Sequence, residues 1–208
     1  MTNVLFVKAN SRPAEQAVSV QLYNAFLETY RAENPSDNIT ELDLFAENLP
    51  YYDTDKINGM FKLARGMELT AEEKAATDLV TKYLNQFLEA DKVVFAFPLW
   101  NFTIPAALHT YLDYLNQAGK TFSYTPEGPV GLLKNKKVTL LNARGGVYSE
   151  GPMQSLEMAV NYVKAVMAFW GVEDVQTIVI EGHNQFPDRS AEIVQAGLDT
   201  AKEAALTF

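Results

Sequence analysis

The sequence predicts an open α/β fold: a five-stranded parallel sheet in the order 2-1-3-4-5, doubly wound, with helices on both faces. Three observations carry that prediction. β-rich runs at Val4 to Lys8, Ile39 to Leu44, Val93 to Phe97, Val138 to Asn142 and Val175 to Glu181 are each separated by a helical pattern. Strict alternation of this kind requires crossovers between parallel neighbours, and such crossovers are right-handed. The run Val93-Val94-Phe95-Ala96-Phe97 is apolar at every position, as expected of a parallel strand buried on both faces.

Each helix is readable from its ends. Ala14 to Asn34 carries Val18, Leu22, Ala25 and Phe26 at helical spacing. Thr70-Ala71-Glu72-Glu73 is a capping box, in which a hydroxyl and a carboxylate satisfy two otherwise unpaired backbone donors, and its helix runs to about Ala90. Pro105 suits the first turn of a helix to Gln117. Pro152 opens another that stops before Gly171, and Asp188 caps the last. Leu49 to Leu69 breaks the rhythm. With Tyr51, Tyr52, Met60, Phe61 and Met67 it is too apolar for a plain linker, and reads either as a flap packed on its own domain or as a surface for a partner subunit.

Composition narrows the function. At 208 residues and 48% hydrophobic content, residues 1–208 read as one domain able to bury roughly 70% of its unfolded surface. There is no cysteine, which excludes thiolate catalysis, disulfides and Cys-based metal sites and fits a reducing compartment. His109 and His183 are the only imidazoles, so no metal site is expected. The chain starts with a strand rather than a basic leader and has no run of about 20 apolar residues, so the expectation is a cytoplasmic protein without a membrane partner. A formal charge of -9 argues against nucleic acid, whose phosphates require a basic patch.

Several motif matches fail. Gly119-Lys120-Thr121 imitates the end of a P-loop, but Tyr114 stands where the first glycine belongs and a helix precedes it. No G-x-G-x-x-G follows the first strand, and Gly146 to Gly151 has the wrong spacing for a nucleophile elbow.

Three strand-end loops carry the chemistry instead. The first runs from Ala9 and Asn10 through Ser11 and Arg12 into a helix start at Ala17-Val18-Ser19, where free N–H groups and the helix dipole favour a phosphate. The second, Pro98-Leu99-Trp100-Asn101-Phe102, offers a flat indole and an amide where open sheets bind ligands. The third, Ala143-Arg144-Gly145-Gly146, lets backbone approach a ligand edge closely. Taken singly, the aromatics also read as core and the glycines as a turn. Converging on one crevice, the loops match FMN, with its dianionic phosphate, ribityl chain and flat polar-edged ring.

With Glu150-Gly151-Pro152, the segment Gly119 to Pro129 and Glu181-Gly182-His183 added, the chain resembles the FMN-dependent NADH-azoreductase family, also described as flavodoxin-like NADH:quinone oxidoreductases, along essentially its whole length. The resemblance implies a flavin ring against Leu99, Trp100, Asn101 and Phe102 and against Ala143, Arg144, Gly145 and Gly146. It also implies a phosphate on Ala17, Val18 and Ser19 with Asn10 nearby, although relatives commonly place serines where Ala9 and Asn10 stand. The implied reaction is ping-pong: NADH or NADPH gives a hydride to FMN, and a quinone or azo compound then takes two electrons. No catalytic acid or nucleophile is expected. Phe102, Tyr124, Tyr148 and Phe169 are candidates to cover the acceptor. The family works as a homodimer with the flavin at the interface, which gives Leu49 to Leu69 a reason to be apolar. The competing readings are an FMN electron carrier without NADH turnover and a flavin-free signalling domain. The length and the apolar insertion argue against the carrier. Val7-Lys8-Ala9 at the first strand's end, with no acidic cluster, argues against the signalling domain.

Overall fold

A computed structural model describes residues 1–208. In chain order the strands are β1 (Asn3–Lys8), β2 (Asn38–Asp43), β3 (Lys92–Pro98), β4 (Phe122–Thr125), β5 (Gly128–Gly131), β6 (Lys137–Arg144) and β7 (Asp174–Glu181). The main sheet has the order β2-β1-β3-β6-β7 with every pairing parallel, which is the expected 2-1-3-4-5 counted along its own strands. The helices are α1 (Val18–Glu33), α2 (Leu44–Glu47), α3 (Thr54–Ala64), α4 (Ala71–Glu89), α5 (Ala106–Leu115), α6 (Val160–Phe169) and α7 (Ser190–Ala205).

Period-2 alternation divides the strands between two cores. Leu5, Val7, Val93, Phe95, Phe97, Val138 and Leu140 face α4, α5 and α6, in a cluster that also holds Phe87, Tyr111 and Trp170. Val4, Phe6, Val94, Ala96, Leu141, Ile178 and Ile180 face α1 and α7, with Phe26 and Tyr30. Each large side chain so buried is worth about 1.5–3 kcal/mol relative to exposure, and the two cores hold the sheet rigid behind its loops.

The Thr70 box forms as read: the Glu73 N–H donates to Thr70 Oγ1 at 3.2 Å, and the Thr70 N–H donates to Glu73 Oε2 at 2.9 Å. Other ends differ. Residues 14–16 form a separate 3-10 turn, because Ala17 is extended (φ -140°, ψ 105°) and α1 starts only at Val18. α5 stops at Leu115, where the Thr121 hydroxyl takes the carbonyl of Leu115. Pro152 opens only a 3-10 turn over Gly151–Leu156, and α6 begins at Val160. Asp188 lies inside a 3-10 turn, and no side chain caps α7. The antiparallel β4-β5 hairpin falls where the sequence showed only a family motif.

Leu49 to Leu69 contains α3, which packs on α4. Gly59 permits the approach: a Cβ there would stand 2.6 Å from Thr77 Cγ2. Lys62 Nζ binds Glu73 Oε1 at 2.6 Å across the same seam. Tyr52 and Met60 pack on the core, whereas Tyr51, Ile57, Phe61, Leu63 and Met67 remain exposed. The segment is thus a self-packed flap on one side and an apolar surface on the other. No helix is long and apolar enough to cross a membrane.

Candidate functional site

Outside the carboxyl ends of β1, β3, β6 and β7 lies a crevice of about 430 Å³, the place where an open α/β sheet binds its ligands. It gathers Asn10, Ala17, Val18 and Ser19 from the first loop, Leu99 and Trp100 from the second, and Ala143, Arg144 and Gly145 from the third. The three loops read from the sequence therefore do converge.

At the β1 end, Asn10 and Ser19 are both buried. The Arg12 N–H donates to Asn10 Oδ1 at 3.0 Å, which identifies that atom as the oxygen. Asn10 Nδ2 then donates to Ser19 Oγ at 2.9 Å. With its oxygen accepting, the Ser19 hydroxyl keeps its own proton for a ligand. The N–H groups of Val18 and Ser19 have no acceptor within the chain, and Ala17 provides no side-chain cap to take them. The arrangement of helix donors, an amide-oriented hydroxyl and the neighbouring Arg12 has the chemistry an anion requires.

After β3 the chain makes a two-residue turn. The N–H groups of Trp100 and Thr103 donate to each other's carbonyls at 2.9 and 3.0 Å, and the turn residues Asn101 (φ 48°) and Phe102 (φ 72°) are both left-handed. Such turns favour Asn-Gly, so Phe102 costs on the order of 1–2 kcal/mol where glycine would cost none. The N–H groups of Asn101 and Phe102 are unpaired within the chain. Trp100 is flanked by Phe45 of α2, edge to face at 6.2 Å.

After β6, the Gly145 carbonyl accepts from the N–H groups of Asn184 and Gln185 at 3.0 and 3.1 Å, and the Gly146 carbonyl accepts from the Gly182 N–H at 3.2 Å. The Gly145 and Gly146 N–H groups have no acceptor. A Cβ on Gly145 would lie 2.4 Å from the Asn184 amide nitrogen, so the glycine allows the loop after β7 to close against it. Arg144 lines the crevice, but its guanidinium is buried and held by carboxylates: Nη2 lies 2.8 Å from Glu181 Oε2, and Nη1 lies 3.3 Å from Glu157 Oε1. Burial pushes the Glu181 carboxyl up, yet the Ser149 hydroxyl, the Tyr148 N–H and Arg144 outweigh it and hold the group below its usual range.

The remaining residues from the sequence reading separate. Asn101, Phe102 and Gly146 belong to the converging loops without lining the cavity itself. Phe102 and Tyr148 meet edge to face at 6.5 Å, joining the second loop to the third. Tyr124 and Phe169 lie elsewhere. Phe169 ends α6, which runs back towards the strand starts, beside a Trp170 carbonyl bonded to the Leu133 N–H ahead of β6. There Phe122 stacks on Phe169 at 4.6 Å and meets Tyr124 at 5.3 Å. Within one chain, Tyr124 and Phe169 are at the opposite end of the sheet from the crevice.

The sequence reading gave no role to His183 or Asn184, which also line the crevice. The signal was present: Glu181 ends the strand beside β6, so residues just after it must border the glycine loop. Burial lowers the His183 pKa, and its Nδ1 has no partner in the chain.

The geometry fits a phosphorylated flat ligand, with free donors at the start of α1 and along the edges of the two other loops. Comparison with known proteins agrees. A family model described as flavodoxin-like fold matches residues 2–205. The chain is 64% identical over 208 residues, the full length of both proteins, to FMN-dependent NADH:quinone oxidoreductase 3 of Bacillus cereus. It is 62% identical over the same full span to FMN-dependent NADH:quinone oxidoreductase 1 of Bacillus subtilis. Among solved structures, an azoreductase from Bacillus anthracis superposes with a TM-score of 0.98 at 64% identity, covering 100% of both chains. An FMN-dependent NADH-azoreductase from the same species, in complex with FMN, gives 0.89 at 30% identity, covering 99% of this chain and 98% of the other. The chain belongs to the family of FMN-dependent NADH:quinone oxidoreductases and azoreductases of flavodoxin-like fold.

Proposed function

We propose that the protein is an FMN-dependent oxidoreductase that passes two electrons from NADH or NADPH to quinones and to aromatic azo compounds. The observation that carries this is the set of unpaired N–H groups on three convergent loops, at Val18 and Ser19, at Asn101 and Phe102, and at Gly145 and Gly146. FMN, when bound, supplies the redox chemistry by accepting a hydride and releasing two electrons to the acceptor. The chain supplies position. The Ser19 hydroxyl and the first N–H groups of α1 bind the phosphate, while Leu99 and Trp100 give the ring a wall. The Asn101 N–H and the glycine N–H groups present fixed donors to the polar ring edge, where electron gain builds negative charge. Phe102 and Tyr148 cover the acceptor side. None of these side chains must act as acid, base or nucleophile.

We further propose a homodimer. The exposed apolar row on α3 and its flanks, and the exposed Tyr124 and Phe169 at the far end of the sheet, fit a second copy whose own Tyr124 and Phe169 complete the acceptor site. A single unit over residues 1–208, working in the reducing cytoplasm, accords with the lack of cysteine. The test is steady-state turnover with NADH and NADPH against a panel of quinones and azo dyes. Parallel double-reciprocal lines are expected. A protein that binds FMN but turns over none of the acceptors is an electron carrier instead.

A further inference from the structure

Arg144 ends β6 and is in register with Glu181 at the end of β7. Its guanidinium is shared: Nε donates to Glu181 Oε2 at 2.8 Å, Nη2 lies 2.8 Å from the same oxygen, and Nη1 faces Glu157 Oε1 at 3.3 Å. Both carboxylates also accept backbone N–H groups, in part on the same oxygens that face Arg144. Glu181 Oε2 accepts the N–H groups of Tyr148 at 2.9 Å and Ser149 at 3.2 Å, and Oε1 accepts the Ser149 hydroxyl. Glu157 accepts the N–H groups of Ala159, Val160 and Asn161 at 3.1, 2.8 and 3.0 Å, and so occupies the free donors at the start of α6. One buried cation therefore fixes two carboxylates, and these tie down both ends of the connection from Gly145 to α6.

We propose that Arg144 is a positioning residue: through Glu181 and Glu157 it holds the glycine loop so that the Gly145 and Gly146 N–H groups face the flavin edge, without itself binding the cofactor. The inference rests on the FMN reading of the same crevice. The geometry argues for it because Nε donates to one carboxylate and both terminal nitrogens lie against carboxylates, so the buried guanidinium charge is already balanced without a ligand phosphate. A planar fork bridging two carboxylates is also a task that a lysine ammonium cannot reproduce. A single ion pair on an exposed surface would do little for geometry, but this one is buried and every acceptor on it has a second backbone partner.

The test compares Arg144→Lys, Glu181→Gln and Glu157→Gln with the wild type. Dissociation constants for FMN and for riboflavin are measured by fluorescence quenching, and amide exchange at Tyr148 and Ser149 is followed by NMR. Arg144→Lys and Glu181→Gln are expected to weaken both flavins by about tenfold, the equivalent of one lost hydrogen bond, with faster exchange at both amides. Glu157→Gln, which meets Arg144 at the longer 3.3 Å and holds the α6 end rather than the Tyr148 and Ser149 amides, is expected to have the smallest effect. Folded variants that bind both flavins within about twofold of the wild type overturn the proposal, whatever their melting temperatures. Loss of FMN affinity with riboflavin unchanged also overturns it, because that pattern belongs to a guanidinium acting on the phosphate. If Arg144→Lys does not fold, the near-isosteric Glu181→Gln decides by the same criteria. A wild type that quenches neither flavin refutes the FMN reading itself.

Discussion

Asn10 Nδ2 donates to Ser19 Oγ at 2.9 Å, and the Arg12 N–H donating to Asn10 Oδ1 fixes which way that amide faces. The pair turns a single serine into an oriented donor at the head of α1.

Ser19→Ala should therefore weaken FMN but not riboflavin. A hydrogen bond to a charged group is worth about 1.5–3 kcal/mol, so the expected loss is about tenfold to a hundredfold in the FMN dissociation constant. Equal losses for both flavins would remove Ser19 from the phosphate.

Gly145→Val should fold and lose FMN affinity. Its Cβ would lie 2.4 Å from Asn184 Nδ2, which can move, but also 3.1 Å from Asn184 Cβ, so the loop after β7 and the glycine loop must part and the Gly145 N–H shifts from the flavin edge. Gly171, which the sequence shows only as a helix terminator, is a different case. It has φ +82°, and a Cβ there would lie 2.9 to 3.0 Å from the Gly131 backbone, so Gly171→Val should cost several kcal/mol of stability by calorimetry. The control for FMN affinity is Gly66→Ala, where φ is +66° and the left-handed backbone costs about 1–2 kcal/mol of stability but nothing lies within 4 Å and the crevice is untouched.

Ile57 is exposed on α3 one turn before Phe61. In the proposed dimer, Ile57→Glu buries an unpaired carboxylate at a cost of several kcal/mol, so light scattering should show monomers and quinone turnover should fall together. Phe61→Glu is the weaker probe because the Arg65 guanidinium, 3.8 Å above the Phe61 ring, would pair with the new charge. A wild type that is monomeric and fully active would return the α3 face to a plain surface.

Glu181 gives a pH signature. Its folded pKa lies below the ordinary glutamate value of 4.5, so its stabilising contribution is complete above about pH 4.5 and is lost as pH falls through the folded value. Urea melts of wild type and Glu181→Gln should differ by about 2 kcal/mol at pH 7 and converge below pH 4.5. A difference that stays constant into acid would show that the charge on Glu181 does not matter.

The sequence disclosed what depends on local pattern. Strand alternation located the five sheet strands, and the Thr70 hydroxyl with the Glu73 carboxyl gave the start of α4 directly. Strand ends also revealed the three loops, because an open sheet gathers its carboxyl ends on one side. What stayed hidden depends on contacts between distant residues. The extended Ala17 separates a 3-10 turn from α1 in a stretch that reads as continuous helix. The Gly131 to Gly171 contact joins the β5 hairpin to the end of α6. The family resemblance implies a ligand role for Arg144, and only the placement of Glu157 and Glu181 shows that its charge is already paired. Tyr124 and Phe169 are candidates to cover the acceptor in the sequence reading, but a single chain places them at the opposite end of the sheet from the crevice, and it is the proposed second copy that would return them.

The central claim is that this crevice passes electrons from a nicotinamide through FMN to an acceptor. Anaerobic titration of the FMN-loaded protein, followed by flavin absorbance, tests it most directly. One equivalent of NADH or NADPH should bleach the flavin fully, and one equivalent of quinone should restore it. Tightly bound FMN that neither nicotinamide bleaches would contradict the account and leave an electron carrier.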